Sequence, residues 1–147
     1  AFRSRHDKFH ASVDSIFFDQ LKVQAYEQPV RFATDVVEIA SYYQEADVVL
    51  FPTLLEEGFG FTAVEAMACG KPVIYFEQSA VREATGGLGI GVPRGDVDAM
   101  RDAIRALMDD PERREELGKA GRAYVENHYA WSVVWSNYER VLEGLFQ

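Results

Sequence analysis

Two glutamates bracket a glycine-rich turn near the middle of the chain. Glu57 and Glu65 lie eight positions apart, and Gly58 and Gly60 fall between them. The turn follows an apolar run and precedes a run of helical character, so it joins a predicted strand to the start of a predicted helix. A helix N-terminus binds anions such as phosphate through its free backbone N–H groups and its dipole. Carboxylates beside it accept hydrogen bonds from hydroxyl groups, so the arrangement favours a ligand with both phosphate and hydroxyls, such as a nucleotide sugar.

The composition limits the possible classes of protein. A chain of 147 residues is long enough for one domain with its own core. A net charge of −9 argues against a nucleic-acid partner, because such proteins usually present a basic surface. The single cysteine, Cys69, excludes an internal disulfide and is interpreted as a small buried residue. His6, His10 and His128 have no metal-ligand spacing, so they indicate no metal site.

The sequence also gives an expectation about location. No apolar run reaches the roughly 18 residues of a membrane span, and no secretory signal is recognisable, so we expect a cytoplasmic protein. A small basic cluster lies within residues 3–10. A solvated helix surface is the favoured interpretation of this cluster, whereas contact with an anionic membrane or with a missing domain is the alternative. A peripheral position at the inner face of the membrane therefore stays open.

The predicted elements alternate between helix and strand. Helices are expected over about 5–26, 35–45 and 62–69, a short helix or turn over 81–85, and further helices after Asp96, from Pro111 and from about residue 131. Asp35, Asp96 and Asp110 are the predicted helix caps. Strands are expected at 30–33, 47–52, 73–76 and 89–93. This alternation predicts a Rossmann-like α/β fold, a parallel sheet with flanking helices that binds its ligand at the carboxyl ends of the strands. We expect a single domain, with a leading helix (1–29), a β/α core (30–93) and C-terminal helices (94–147).

The apolar pattern also predicts which faces are buried. The nearly continuous apolar run 47–52 predicts a strand that is covered on both faces. Helical periodicity predicts the buried faces of three helices: Val36, Ile39, Tyr42 and Tyr43 in the second, Val97, Met100, Ile104 and Leu107 in the helix after Asp96, and Val134, Tyr138, Val141 and Leu145 in the last.

Two other functions fit parts of the glycine turn. The pattern Gly58-x-Gly60-x-x-Ala63 matches a dinucleotide-binding fingerprint, and Glu77 ends the next strand where a ribose-binding acid would stand. This alternative is disfavoured, because residues 53–57 separate the strand from the first glycine and an earlier strand precedes the unit. A glycosidase with Glu57 and Glu65 as its carboxylate pair is also disfavoured, because the two side chains should contact different parts of the ligand.

Several segments in the same order resemble one enzyme family. Residues 57–65 resemble the E-x7-E signature of retaining glycosyltransferases with the GT-B architecture, in particular glycosyltransferase family 4 (group 1). Residues 45–53 (EADVVLFPT) are similar to its strand "ADv-v-PS", and residues 65–74 (EAMACGKPVI) to its run "EAMA-G-PVI". Glu83 with residues 89–93 (GIGVP), and residues 129–131 (YAW), resemble two further family segments. The resemblance covers about residues 30–145.

This resemblance implies roles for individual residues. Glu57 would be the catalytic-site carboxylate that binds the transferred sugar, aided by the backbone of Gly58 and Phe59. The amides around Gly60, Phe61 and Thr62 would bind the donor phosphates, and Glu65 the ribose. Thr34 and Val36 would lie near the base. The donor would be a nucleotide diphosphate sugar, normally without metal, and the acceptor a sugar, a lipid or another small molecule.

The chain departs from the family in four places. We find no counterpart of the family's "GR…KG" segment, whose cations neutralise the leaving diphosphate, nor of its N-terminal acceptor domain. We therefore expect an N-terminally truncated donor domain that is weakly active or inactive alone. Gln78-Ser79-Ala80 replaces a pair of small residues, and the turn after the strand 30–33 lacks the usual glycine. A non-catalytic nucleotide- or carbohydrate-binding module is the alternative function.

Overall fold

The computed structural model describes residues 37–145. The predicted helix over 5–26, the predicted strand 30–33 and the base-contacting candidates Thr34 and Val36 lie outside this range. Asp35, the predicted cap of the second helix, lies outside it as well.

A parallel sheet forms the centre of the described region. Its strands are β1 (Val49–Phe51), β2 (Val73–Phe76) and β3 (Ile90–Val92), in the order β1-β2-β3. Val49 pairs with Val73, and Ile74 pairs with Ile90. Parallel neighbours need crossover connections, and helices in the two connections provide them. The predicted parallel α/β sheet is therefore confirmed.

Six helices flank the sheet in residues 37–145. Their bounds are α1 (Ile39–Glu45), α2 (Phe61–Ala68), α3 (Ser79–Ala84), α4 (Val97–Asp109), α5 (Pro111–Tyr129) and α6 (Trp131–Leu145). Asp96 begins α4 and accepts a hydrogen bond from the Ala99 amide at 2.9 Å; Asp110 begins α5 in the same way, accepting from the Arg113 amide at 2.9 Å. Both predicted caps are confirmed, and they fix where these helices start.

The central strand β2 divides the core into two layers. All four of its residues are buried, and their side chains alternate between the faces of the sheet. Val73 and Tyr75 pack in a cluster with residues of α2, α3 and α5. Ile74 and Phe76 pack in a second cluster with Met100 and Leu107 of α4. Helices thus cover both faces, as predicted for a Rossmann-like sheet.

Strand β1 differs from its prediction. Its middle residue, Leu50, is 42% exposed, so β1 is not covered on both faces. In the described part of the sheet, β1 has a strand neighbour on one side, whereas β2 lies between two strands. The apolar run predicted the strand correctly, but a continuous apolar run does not show how fully each of its residues is covered.

Three predicted helical faces are only partly buried. In α1 Tyr43 is buried, whereas Ile39 and Tyr42 are exposed. In α4 Val97 is exposed, although Met100 and Leu107 are buried. The stripe on α6 exists, but Tyr138, Val141 and Leu145 are exposed, and no residue of this helix is buried. Adjacent positions point about 100° apart on a helix, so a small change in orientation exposes one end of a stripe.

Helix α5 crosses close to the end of α2. Gly70 ends the α2 segment with a φ of 71°, a conformation that favours glycine. A Cβ added at Gly118 of α5 would overlap the carbonyl oxygen of Gly70. The close approach therefore requires glycine at position 118. It packs the end of α2, the helix that bears part of the candidate site, directly against α5.

Candidate functional site

The start of α2 is shaped by Gly60. This residue has a φ of 88°, in the left-handed region, and it is buried. A Cβ at this position would lie 3.1 Å from Cγ2 of Val81 and 3.6 Å from Cε1 of Phe51. The backbone conformation and the tight packing both favour glycine. The sequence-predicted turn thus directs the chain from the end of β1 into α2.

The first turn of α2 has the features of an anion site. No side chain caps the helix at Gly60, and the first turn contains no acidic residue. Phe61 is exposed at the first helical position, and Thr62 is half-buried beside it. Phe59 anchors the loop, with its ring centroid 4.9 Å from that of Phe61 and 5.4 Å from that of Tyr129. Backbone N–H groups at such a terminus can bind a phosphate.

Glu65 lies one turn into α2, beyond the first turn. Its Oε2 accepts a hydrogen bond from the hydroxyl of Tyr43 on α1, at 3.1 Å. Burial, followed by the hydrogen bond to Glu65, raises the pKa of Tyr43 to about 12, and the side chain of Thr62 acts in the opposite direction. The Tyr43 hydroxyl therefore keeps its proton at neutral pH and donates a hydrogen bond to the Glu65 carboxylate. This hydrogen bond orients the exposed carboxylate.

Glu57 is held by a residue that follows the neighbouring strand. Its backbone amide donates to Oε1 of Gln78 at 3.0 Å, and Nε2 of Gln78 donates to the Thr53 carbonyl at 3.0 Å. The side-chain amide thereby joins the two ends of the segment 53–57. Gln78 is 5% exposed, so this bridge is shielded from water.

A second side chain contacts the same segment from the end of β3. Arg94 donates hydrogen bonds to the Glu56 carboxylate and to the Leu54 carbonyl. Residues that follow β1, β2 and β3 therefore meet at the carboxyl edge of the sheet. This is the edge where ligands bind in open parallel sheets.

Of the predicted site residues, Thr34 and Val36 lie outside the described range, and the structure places those from Glu57 to Glu65 in the loop after β1 and the first turns of α2. It adds three residues that the sequence analysis did not assign: Tyr43, Gln78 and Arg94. Gln78 was noticed only as a departure from the family, and Tyr43 only as a buried helical position. Each partner lies at least 21 positions away in sequence, so no local pattern pointed to these contacts.

The geometry disfavours the dinucleotide-binding alternative. Gly58 lies seven positions after the end of β1, and a Cβ added there would meet no atom within 4 Å, so no close approach requires glycine. Glu77, the proposed ribose acid of that fold, forms a 2.6 Å ion pair with Arg82. Its carboxylate is therefore already paired.

Within the described range, no group of three or more His, Cys, Asp or Glu side chains is placed to hold a metal ion. None of the helices seen between residues 37 and 145 combines the length and apolar character that crossing a membrane requires. Cys69, predicted to be buried, is half-buried at the end of α2.

Comparison with known proteins shows the family to which the chain belongs. The model of a family described as "Glycosyl transferases group 1" matches residues 14–110. The chain belongs to this family. It is 33% identical to a GDP-mannose-dependent monoacylated α-(1-6)-phosphatidylinositol monomannoside mannosyltransferase of Corynebacterium glutamicum, over 78% of this chain and 35% of that protein. It is 38% identical to the phosphatidyl-myo-inositol mannosyltransferase of Mycobacterium leprae, over 85% of this chain and 35% of that protein.

Solved structures share the fold. The sucrose-phosphate synthase of Thermosynechococcus elongatus aligns with a TM-score of 0.79 at 29% identity, over 90% of this chain and 34% of that one. Anabaena HepE, solved in complex with UDP, aligns with a TM-score of 0.81 at 20% identity, over 89% of this chain and 38% of that one. The predicted α/β fold of the GT-B architecture is thus confirmed. The chain spans about a third of the length of the relatives that it matches.

Proposed function

We propose that this chain is the donor-binding part of a retaining glycosyltransferase that transfers a hexose from a nucleotide diphosphate sugar to an acceptor hydroxyl. The observation that carries the proposal is the placement of Glu57 and Glu65 on either side of an uncapped helix start at the carboxyl edge of a parallel sheet. Membership of the group 1 family and the mannosyltransferase names of two relatives support it.

The phosphates bind at the start of α2 in this proposal. The amides around Gly60, Phe61 and Thr62 donate to the diphosphate, because no side chain caps this terminus. The first turn contains no acidic side chain that would repel the anion. The left-handed conformation of Gly60 directs the helix start toward the sheet edge, where the ligand lies.

The two glutamates bind the two ends of the donor. Glu65 accepts hydrogen bonds from the ribose hydroxyls, and Tyr43 holds its carboxylate for this task. Glu57 binds hydroxyls of the transferred sugar, with the backbone of Gly58 and Phe59. A carboxylate can accept two hydrogen bonds from neighbouring hydroxyls, which orients the sugar ring. Thr34 and Val36 are proposed to lie near the base.

In the transfer step, the bond from the anomeric carbon to the diphosphate oxygen breaks, and the diphosphate leaves with the electron pair. The anomeric carbon then bonds to an acceptor hydroxyl oxygen on the same face of the sugar, and the proton of that hydroxyl passes to the leaving diphosphate. No metal or other cofactor is required in this proposal. The acceptor is a sugar, a lipid or another small molecule, and it binds to an N-terminal acceptor domain outside this chain.

The proposal extends to the activity and location of the chain. We propose that the 147-residue chain alone transfers little sugar, because cations that neutralise the leaving diphosphate contribute strongly to such reactions and we recognise no counterpart of the family's Arg and Lys segment. We further propose that the protein acts in the cytoplasm, with a peripheral position at the inner face of the membrane if its N-terminal basic cluster binds anionic lipid.

Calorimetry with a panel of nucleoside diphosphates and their sugars tests the assignment. Glu65→Ala should weaken the free diphosphate and the sugar-bearing donor alike, by about 10- to 150-fold, the range expected for hydrogen bonds to a charged group. Glu57→Gln should weaken only the sugar-bearing donor. Glu143→Ala and Glu143→Gln, on the exposed surface of α6, are the matched controls.

The outcomes separate the candidate functions. Absence of binding to every member of the panel contradicts the donor-site assignment. Equal losses with both ligands in Glu57→Gln contradict the division between sugar and ribose. Binding without transfer, even when an acceptor domain is supplied, would favour a non-catalytic binding module.

A further inference from the structure

Gln78 is unusual among the buried polar side chains of residues 37–145, which are Gln78 and Thr85. The hydroxyl of Thr85 donates to the Val81 carbonyl of its own helix at 2.8 Å, as helical threonines often do. The amide of Gln78 instead reaches the segment 53–57, more than 20 positions earlier in the chain. Gln78 precedes α3, but its side chain makes no capping hydrogen bond to that helix. Its side chain is therefore committed to the segment that bears Glu57.

The two hydrogen bonds of Gln78 fix its orientation. Oε1 accepts from the Glu57 amide, and Nε2 donates to the Thr53 carbonyl, each at 3.0 Å. The reverse orientation would place two donors together at Glu57 and two acceptors together at Thr53. A glutamine side chain therefore satisfies both backbone groups in one arrangement.

The segment 53–57 has few other means of holding its conformation. Leu54 and Leu55 are 58% and 77% exposed, so the segment buries little apolar surface. Its contact with Arg94 includes an ion pair with the exposed Glu56, and exposed pairs stabilise structures only weakly. Two further hydrogen bonds of the segment, from the Leu55 amide to the Thr53 hydroxyl at 3.2 Å and from Arg94 to the Leu54 carbonyl, lie in exposed positions. The bridge made by the buried Gln78 side chain is therefore the restraint of this segment that is least accessible to water.

We propose that Gln78 is a positioning residue that holds Glu57 for binding of the transferred sugar. This inference rests on the proposed role of Glu57. Gln78 bonds to the Glu57 segment, whereas Tyr43 bonds to Glu65, so the two ends of the donor site have separate supports. Loss of the Gln78 amide should therefore weaken sugar recognition and leave the diphosphate and ribose contacts intact.

The first test compares Gln78→Met with the wild type. Methionine keeps the length of the side chain and removes both hydrogen-bonding groups. We expect binding of the nucleotide sugar to weaken by roughly tenfold or more, and binding of the free nucleoside diphosphate to change by less than about twofold. Gln44→Met, on the exposed surface of α1, is the matched control. Equal losses for both ligands, or no loss for either, would overturn the proposal.

The second test uses Gln78→Glu as a reversible variant. A protonated carboxyl group can accept from the Glu57 amide and donate to the Thr53 carbonyl, as the native amide does, whereas the carboxylate loses the donor. Burial should raise the pKa of the introduced carboxyl. Relative to wild type at the same pH, nucleotide-sugar affinity should be restored near pH 5.5 and lost near pH 8.5. An affinity ratio that does not change with pH would contradict the bridge.

Amide hydrogen exchange at Glu57 separates this inference from the proposed function, because it needs no ligand. Gln78→Met should remove the protection of the Glu57 amide, with circular dichroism confirming that the variant is folded. If the wild type binds no nucleotide sugar but this protection is lost, the donor assignment fails and the bridge stands. If Glu57→Gln weakens only the sugar-bearing donor but the protection persists in Gln78→Met, the bridge fails and the donor assignment stands.

Discussion

Replacing Tyr43 by phenylalanine removes one oxygen atom from the support of Glu65. The ring of Tyr43 is 9% exposed and packs in the core between α1 and α2, so phenylalanine keeps the packing. The hydroxyl donates to Glu65 at 3.1 Å, and this is the contact that the substitution deletes. The variant therefore isolates the effect of one hydrogen bond on the proposed ribose carboxylate.

The size of the effect follows from the character of that bond. Hydrogen bonds to charged groups contribute about 1.5–3 kcal/mol, but Glu65 is exposed and water can replace the lost donor. We therefore expect a loss of about 1 kcal/mol, which corresponds to roughly fivefold weaker binding. The free nucleoside diphosphate and the nucleotide sugar should be affected equally, unlike in Gln78→Met, because both contain the ribose.

The pH dependence of folding gives an independent measurement. The pKa of Tyr43 is raised from 10.0 to about 12, so the folded state holds this proton more tightly than the unfolded state does. Its stabilisation is fully present below pH 10 and is lost as the pH rises toward and through 12. The loss approaches about 1.4 kcal/mol per pH unit and totals about 3 kcal/mol. At pH 11.5 the wild type should have lost about 2 kcal/mol through this group.

Urea unfolding of both proteins between pH 8 and 11.5 is the appropriate assay. The wild type should be more stable than Tyr43→Phe by about 1 kcal/mol at pH 8 and less stable near pH 11.5, because phenylalanine cannot ionise. Tyr138→Phe, on the exposed surface of α6, controls for general loss of a phenol hydroxyl. Parallel curves for wild type and Tyr43→Phe across this range would refute the reasoning about burial and the bond to Glu65.

Three further substitutions test the supports of the site. Gly118→Ala should destabilise the protein by about 1–3 kcal/mol in urea unfolding, because the added Cβ would overlap the Gly70 carbonyl. The control Gly144→Ala, with open space around the added Cβ, should be neutral or stabilising. Equal effects of the two substitutions would contradict the close approach of α5 to Gly70. Gly60→Ala should weaken nucleoside diphosphate binding, measured by calorimetry, by several-fold. The φ of 88° at this position disfavours alanine by roughly 1 kcal/mol or more, so the start of α2 must shift. Unchanged affinity would argue against phosphate binding at the start of α2. Asp110→Ala should lower the free energy of unfolding by about 1 kcal/mol without changing nucleotide affinity, and a change in affinity would show that α5 communicates with the site.

Local signals predicted most of the secondary structure. The strand at Val73–Phe76 has the predicted bounds, since Gly70 and Pro72 end the preceding helix and a four-residue apolar run is too short for another one. Asp96 and Asp110 begin helices because capping depends on residues only three positions apart. Burial was harder to predict, since the exposure of Leu50 and Tyr42 depends on which elements lie beside them. That neighbourhood is a property of the tertiary structure.

The candidate site was likewise only partly predictable from the sequence. Glu57, Gly60 and Glu65 were found from their spacing, because a strand, a turn and a helix start lie within one short segment. Their supports were not found. Tyr43 and Gln78 reach the site across 22 and 21 positions, and neither contact has a periodic signature in the sequence. The family resemblance did not predict these supports either. In the family a pair of small residues is usual at the segment that is Gln78-Ser79-Ala80 in this chain.

The strand order explains where those supports come from. Because β1, β2 and β3 are parallel, the residues that follow all three strands lie at the same edge of the sheet. Gln78 and Arg94 therefore contact the segment of Glu57, while α1 contacts Glu65 through Tyr43. In the proposed donor site, residues at the sheet edge support the glutamate that binds the sugar. Packing between α1 and α2 supports the glutamate that binds the ribose. A substitution after β2 can therefore change sugar recognition while the nucleotide is held as before.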